Sequence, residues 1–112
     1  MARSAVLERG LVTAAATSYA ANCALGTSVA TGLLDTRDYR WLHHALYLAT
    51  SALTGAAVVA LVARRHPGGW TLLPTLLPLA ALPRASARTP RHARLGLSAA
   101  PFYLATLRRA WR

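Results

Sequence analysis

Between Arg9 and Asp35 the chain runs from Gly10 to Leu34 without a formal charge, and after a short polar link it does the same from Trp41 to Ala63. Backbone N–H and C=O groups in hydrocarbon find partners only within a helix or a closed barrel. About 20 apolar residues, each rising about 1.5 Å, cross a bilayer core of roughly 30 Å. The pattern therefore predicts an all-α, polytopic membrane protein, a four-helix transmembrane bundle of two antiparallel hairpins. Residues 1–112 form a single integral membrane domain in this reading, with helices near 4–33, 39–65, 70–83 and 90–111.

The first helix starts at Ser4 as N-cap and leaves near Gly32 and Asp35. It is too long for the apolar core of a signal peptide and reads as a retained helix. Ala, Ser, Thr and Gly dominate it, and Ala14, Ser18, Asn22, Gly26 and Ala30 form one ridge at four-residue spacing. Small residues at that spacing let a second helix backbone approach closely, which is how helices associate where lipid removes the usual hydrophobic drive. That ridge is expected to face protein. Asn22, at mid-depth, needs a partner across a helix interface, or else serves a ligand or transport path.

The second helix is capped by Asp38, and His66-Pro67-Gly68-Gly69 ends it as a turn. Tyr39 and Trp41 stand where an aromatic belt belongs, and Arg64 and Arg65 mark the opposite interface. The third, Trp70 to Pro83, is short and kinked by Pro74 and Pro78; it is either a tilted crossing or a re-entrant segment against helix one. The fourth begins at Thr89-Pro90, a cap followed by proline at the first helical position, and bends at Pro101. It spans in one reading and lies on the membrane surface in the other. Tyr47-Leu48-Ala49-Thr50 recurs as Tyr103-Leu104-Ala105-Thr106 at a displacement of half the chain, an echo that composition alone can produce in so Ala- and Leu-rich a sequence.

Composition supports the membrane reading. Hydrophobic residues reach 54% and charged residues only 14%, against about 25% in soluble domains. The net charge of +10 comes entirely from arginine, which with the wealth of Ala suggests the cytoplasmic membrane of a GC-rich bacterium. The arginines punctuate the apolar segments instead of lining one face, so they fit anionic lipid headgroups and argue against nucleic acid as a partner. With four crossings the two sides carry nearly equal numbers of arginines, and orientation stays open.

Candidate chemistry is confined to histidines. His43 and His44 open helix two and His92 opens helix four, on the same face if all four helices cross, so imidazoles from two helices can ligate a b-type haem or, with a carboxylate, a transition metal. The plainer role is that of interfacial polar residues bonding headgroups or loop carbonyls. Adjacent residues on a helix point about 100° apart, so only one of His43 and His44 faces a given partner. His66 reads as a cation at the C-terminal dipole of helix two. Asp35 and Asp38 alternate with Arg37 and Arg40 and read as loop ion pairs, and Cys23 as a buried thiol. No nucleophile elbow, paired carboxylates or phosphate-cradling loop is present. The functional expectation is a small accessory or scaffolding component acting through helix–helix contacts, with a protein partner or a second copy on helix one. A haem or metal protein and a holin-like permeabiliser are the other two readings carried.

Overall fold

A computed structural model describes residues 2–30, 40–84 and 90–111. Among them every regular element is helical: α1 (Ala2–Ala30), α2 (Arg40–Ala63), α3 (Gly68–Leu72), α4 (Leu76–Ala81), α5 (Pro90–Ser98) and α6 (Ala100–Ala110), with 3-10 turns at Leu73–Thr75 and Leu82–Arg84. They form four arms: α1, α2, the pair α3–α4 and the pair α5–α6. Each arm packs on the next, and α6 returns to α1.

Cross-contacts give the directions. Glu8 meets Arg64 and Asn22 reaches Leu46, so α1 and α2 are antiparallel. Tyr47 donates to the Leu79 carbonyl while Gly69 lies against Val62, which sets the third arm antiparallel to the second. Arg9 donates to the Ala110 carbonyl and Tyr19 to that of Gly96, so the fourth arm runs opposite to the first. The result is an up-down-up-down ring of 46 × 21 × 19 Å, its long axis matching the ~44 Å expected of a helix with α1's length.

Several local expectations change. Ser4 lies inside α1, which begins at Ala2, while Asp38 and Thr89, the other expected caps, fall outside the described residues. Gly68 and Gly69 are not the turn; they form the first turn of α3. The reversal is made just upstream, where Arg65 takes a left-handed φ of 55°. The His66 N–H bonds the Leu61 carbonyl at 2.8 Å and the Arg65 N–H bonds that of Val62 at 3.0 Å, the paired bonds of a Schellman cap. The His66 side chain folds onto the start of α3, its Nδ1 accepting the Gly68 N–H at 2.9 Å. Pro74 sits in the 3-10 turn that separates α3 from α4, and Pro101 follows a break at Ala99 that divides the fourth arm.

A left-handed conformation costs an L-residue roughly 1–2 kcal/mol, and glycine escapes most of that. Arg65→Gly is therefore expected to stabilise the fold by about 1 kcal/mol, read as a higher thermal unfolding midpoint. A lowered midpoint would show that the arginine side chain contributes more than the backbone strain costs.

The interior joins a hydrophobic cluster to buried threonines. The largest fully buried side chains are Leu61, Leu72 and Val12 together with Thr50, Thr54, Thr75 and Thr106. Meanwhile Val6, Trp41, Leu48, Val59, Trp70, Leu77, Leu104 and Trp111 are all more than half exposed. One described helix, Trp41–Ala63, is long and apolar enough to cross a membrane. The four expected crossings reduce to that one by this measure: α1 has the length but is diluted by Ser, Thr, Tyr and Asn, and the other two arms are divided into helices too short to qualify singly.

Candidate functional site

Two groups of side chains stand out inside and at one end of the ring. The first is a seam of hydroxyls and one amide along its axis. Ser18 Oγ lies 2.6 Å from Thr50 Oγ1, and Asn22 Nδ2 donates to the same Thr50 oxygen at 2.6 Å and to the Leu46 carbonyl at 3.0 Å. Further along, Thr54 and Tyr103 share a buried hydrogen bond of 2.7 Å, with the Tyr103 ring stacked on Tyr19 at a centroid distance of 4.3 Å. Thr71 and Thr106 meet at 2.7 Å. Each buried polar group needs a partner, and here helices supply one another's. Among the described residues the exception is Ser51 Oγ, buried without one.

The repeated Tyr-Leu-Ala-Thr tetrapeptides occupy matching places in this seam. Thr50 bonds side chains of α1 and Thr106 bonds Thr71 of α3, in each case the arm just before its own. Tyr47 and Tyr103 both reach across to the other hairpin, to Leu79 and to Thr54 respectively. The seam contains no carboxylate and no general base among its members. Its chemistry is adhesion.

The second group is histidine. The structure brings His43 of α2 and His92 of α5 to a ring-centroid distance of 5.8 Å, tilted by 50°, with His44 6.1 Å from His43. His43 and His92 are half-buried and His44 is exposed, so of the two neighbours it is His43 that turns inward. Imidazoles at this separation suit two ligands of one transition metal, with water or a further side chain completing the shell. Among the described residues no three or more His, Cys, Asp or Glu are grouped to hold a metal, and Asp35 and Asp38 lie outside them.

The ridge on α1 divides. Ser18 and Asn22 are turned to α2 and Ala14 is half-buried, whereas Gly26 is exposed and a side chain built there meets nothing within 4 Å. The side chain of Ala30 is outside the described set. Cys23 is a half-buried free thiol.

At the opposite end from the histidines the first and last turns are clasped. Arg9 bonds the Ala110 carbonyl at 2.9 Å and lies 5.3 Å from the Trp111 ring, whose Nε1 donates to Thr13 at 3.0 Å. Glu8, largely buried, faces Arg64 at 3.6 Å. The sequence pattern singles out none of Tyr19, Thr54 or Thr71, and Tyr103 only as part of the tetrapeptide echo. The one available signal was the tetrapeptide echo, which marks two of the arms' inward faces. No family model matches the chain, and neither a curated protein nor a solved structure matches it.

Proposed function

We propose that this chain is an integral membrane bundle that acts as a small accessory or scaffolding component through its helix faces. The observation that carries the reading is the apolar surface outside: Leu, Val and Trp side chains stand exposed, while Thr50, Thr54, Thr75 and Thr106 are buried among the Val, Leu, Ala and Tyr of the core. In water these exposed Leu, Val and Trp side chains would be hydrated at a cost. In lipid both features become favourable, since polar seams join helices and the apolar coat faces tails. Trp41 at one end and Trp70 and Trp111 at the other stand at the two levels an aromatic belt occupies. Carbonate-washed membranes should retain the protein; its release into the soluble fraction would overturn this reading.

Within that reading, the outer face of α1 around Gly26 is the place for a second helix, since Gly26 is exposed and a side chain built there meets nothing within 4 Å among the described residues. Gly26→Leu is expected to leave the thermal midpoint of the single chain unchanged or slightly raised, since leucine is the better helix former by up to about 1 kcal/mol. The same change should shift the size of the detergent-solubilised complex toward the monomer. An unaltered complex would remove α1 as its contact.

The proximity of His43 and His92 favours a second reading, a bound haem or transition metal. Its test is the absorption spectrum and metal content of detergent-purified protein. Colourless, metal-free material that also takes up no added zinc or copper would dispose of it.

A further inference from the structure

Val62, Arg65, His66 and Trp70 line an open recess of about 340 Å³ where α2 hands over to α3. Its parts are those of a phospholipid site. Trp70 is 75% exposed and Val62 48%, so the recess is walled by an indole and an aliphatic side chain that the other described residues leave largely open. From it an apolar strip continues toward the middle of the bundle on both neighbouring arms, through Val59 on α2 and through Leu73 and Leu77, which follow Trp70 at helical spacing. Trp70 to Leu77 rises about 10 Å, enough to seat the upper part of an acyl chain.

The polar end of the recess is cationic and unbalanced. Arg9, Arg64, Arg65, Arg108 and Arg109 collect at this end, and the carboxylate described there, Glu8, is turned to Arg64. Arg65 is the arginine of that group that lines the recess. It is held there by the left-handed backbone of the Schellman cap, a strained arrangement that glycine would satisfy at lower cost. His66, whose Nδ1 accepts from the Gly68 N–H, leaves its Nε2 N–H to donate to a ligand. A guanidinium that can grip phosphate bidentately, an imidazole donor, an indole at headgroup level and an apolar strip below match one phospholipid from phosphate to chain.

We infer that the recess between α2 and α3 binds the phosphate of an anionic phospholipid through Arg65, with its acyl chain laid along Val62, Trp70, Leu73 and Leu77. This rests on the membrane reading above. Two separate results distinguish the two: a protein recovered soluble without detergent defeats the membrane reading, whereas the lipid response below tests the site on protein already purified in detergent.

The experiment titrates phosphatidylglycerol, phosphatidylcholine and inorganic phosphate separately into the full chain in a neutral detergent, following the thermal unfolding midpoint. Phosphatidylglycerol should raise the midpoint, and the other two should leave it near the baseline. Arg65→Gly should lose that lipid-dependent rise while keeping a baseline midpoint at or above that of the parent, because the substitution relieves backbone strain. Arg108→Gln, which removes an exposed charge at the same end but outside the recess, should keep the rise. An equal loss in Arg108→Gln would mean diffuse attraction to basic charge, an equal rise with inorganic phosphate would mean that no lipid is needed, and a rise retained in Arg65→Gly would mean binding elsewhere. Any of the three overturns the site.

Discussion

Tyr103→Ala is expected to lower the stability of the bundle by about 3 kcal/mol, the largest single effect of any side-chain truncation in the seam. Aromatic-to-alanine changes in a core cost roughly 3–5 kcal/mol in water, part of it transfer of apolar atoms and part the void left behind. If the bundle sits in lipid as proposed, the transfer contribution shrinks, because tails are as apolar as the site, while the void and its lost dispersion contacts remain. That places the loss at the lower edge of the range. Tyr103 is 3% exposed, stacks on Tyr19 of α1 and bonds Thr54 of α2, so its ring ties three arms at one level. The hydroxyl is separable from the ring. Tyr103→Phe and Thr54→Val should each cost about 1–2 kcal/mol by orphaning the other's hydroxyl, and the double variant should cost less than their sum by about 1 kcal/mol. Strict additivity of the two would show that the 2.7 Å contact contributes nothing beyond its two separate side chains.

How much of this was legible depends on whether the physics is local. Helicity was, since uncharged runs of helix length separated by Pro, Gly and Asp leave few alternatives, and every regular element among the described residues is helical. The need of Asn22 for a partner follows equally from a lone amide in an uncharged run, and its bonds to Leu46 and Thr50 cross to α2. What could not be read is which of many hydroxyls face inward. Ser, Thr and Tyr are scattered over every face of α1 and α2, and only the rotation of each helix in the ring selects Thr50, Thr54 and Tyr19 over Thr17 or Ser28. The cap at Arg65 was hidden for another reason. A left-handed residue is ordinarily glycine, two glycines stand nearby, and the chain uses them for close packing instead, placing the strained turn on an arginine. The histidine pair is an intermediate case: helix starts on a common end permit His43 and His92 to meet, but the 5.8 Å separation is a product of how α5 packs.

The same contrast decides which glycine the fold cannot lose. Spacing on α1 draws attention to Gly26, yet a side chain there meets nothing within 4 Å, while a Cβ on Gly69 would lie 3.0 Å from Val62 Cγ2 and 3.3 Å from the Val62 backbone nitrogen. The first contact can yield, because Val62 is half-exposed and its rotamer can turn. The second cannot, because it is backbone in the last turn of α2. Gly69→Val is therefore expected to destabilise the bundle by about 2–3 kcal/mol, as overpacking does in a tight core, even though any residue is a better helix former than glycine by up to about 1 kcal/mol. To make room, α3 must move off α2, and that motion pulls on the Gly68 N–H bond to His66 and on Thr71, which is bonded to Thr106 of α6. Adding Val62→Ala should restore only the part owed to the side-chain clash, leaving the backbone approach in place. Full rescue by Val62→Ala would mean that the two helices are held apart by side chains alone. A thermal midpoint for Gly69→Val as high as that of Gly26→Leu would mean that the α2–α3 corner opens freely, and that the recess beside Arg65 is no fixed feature of the fold.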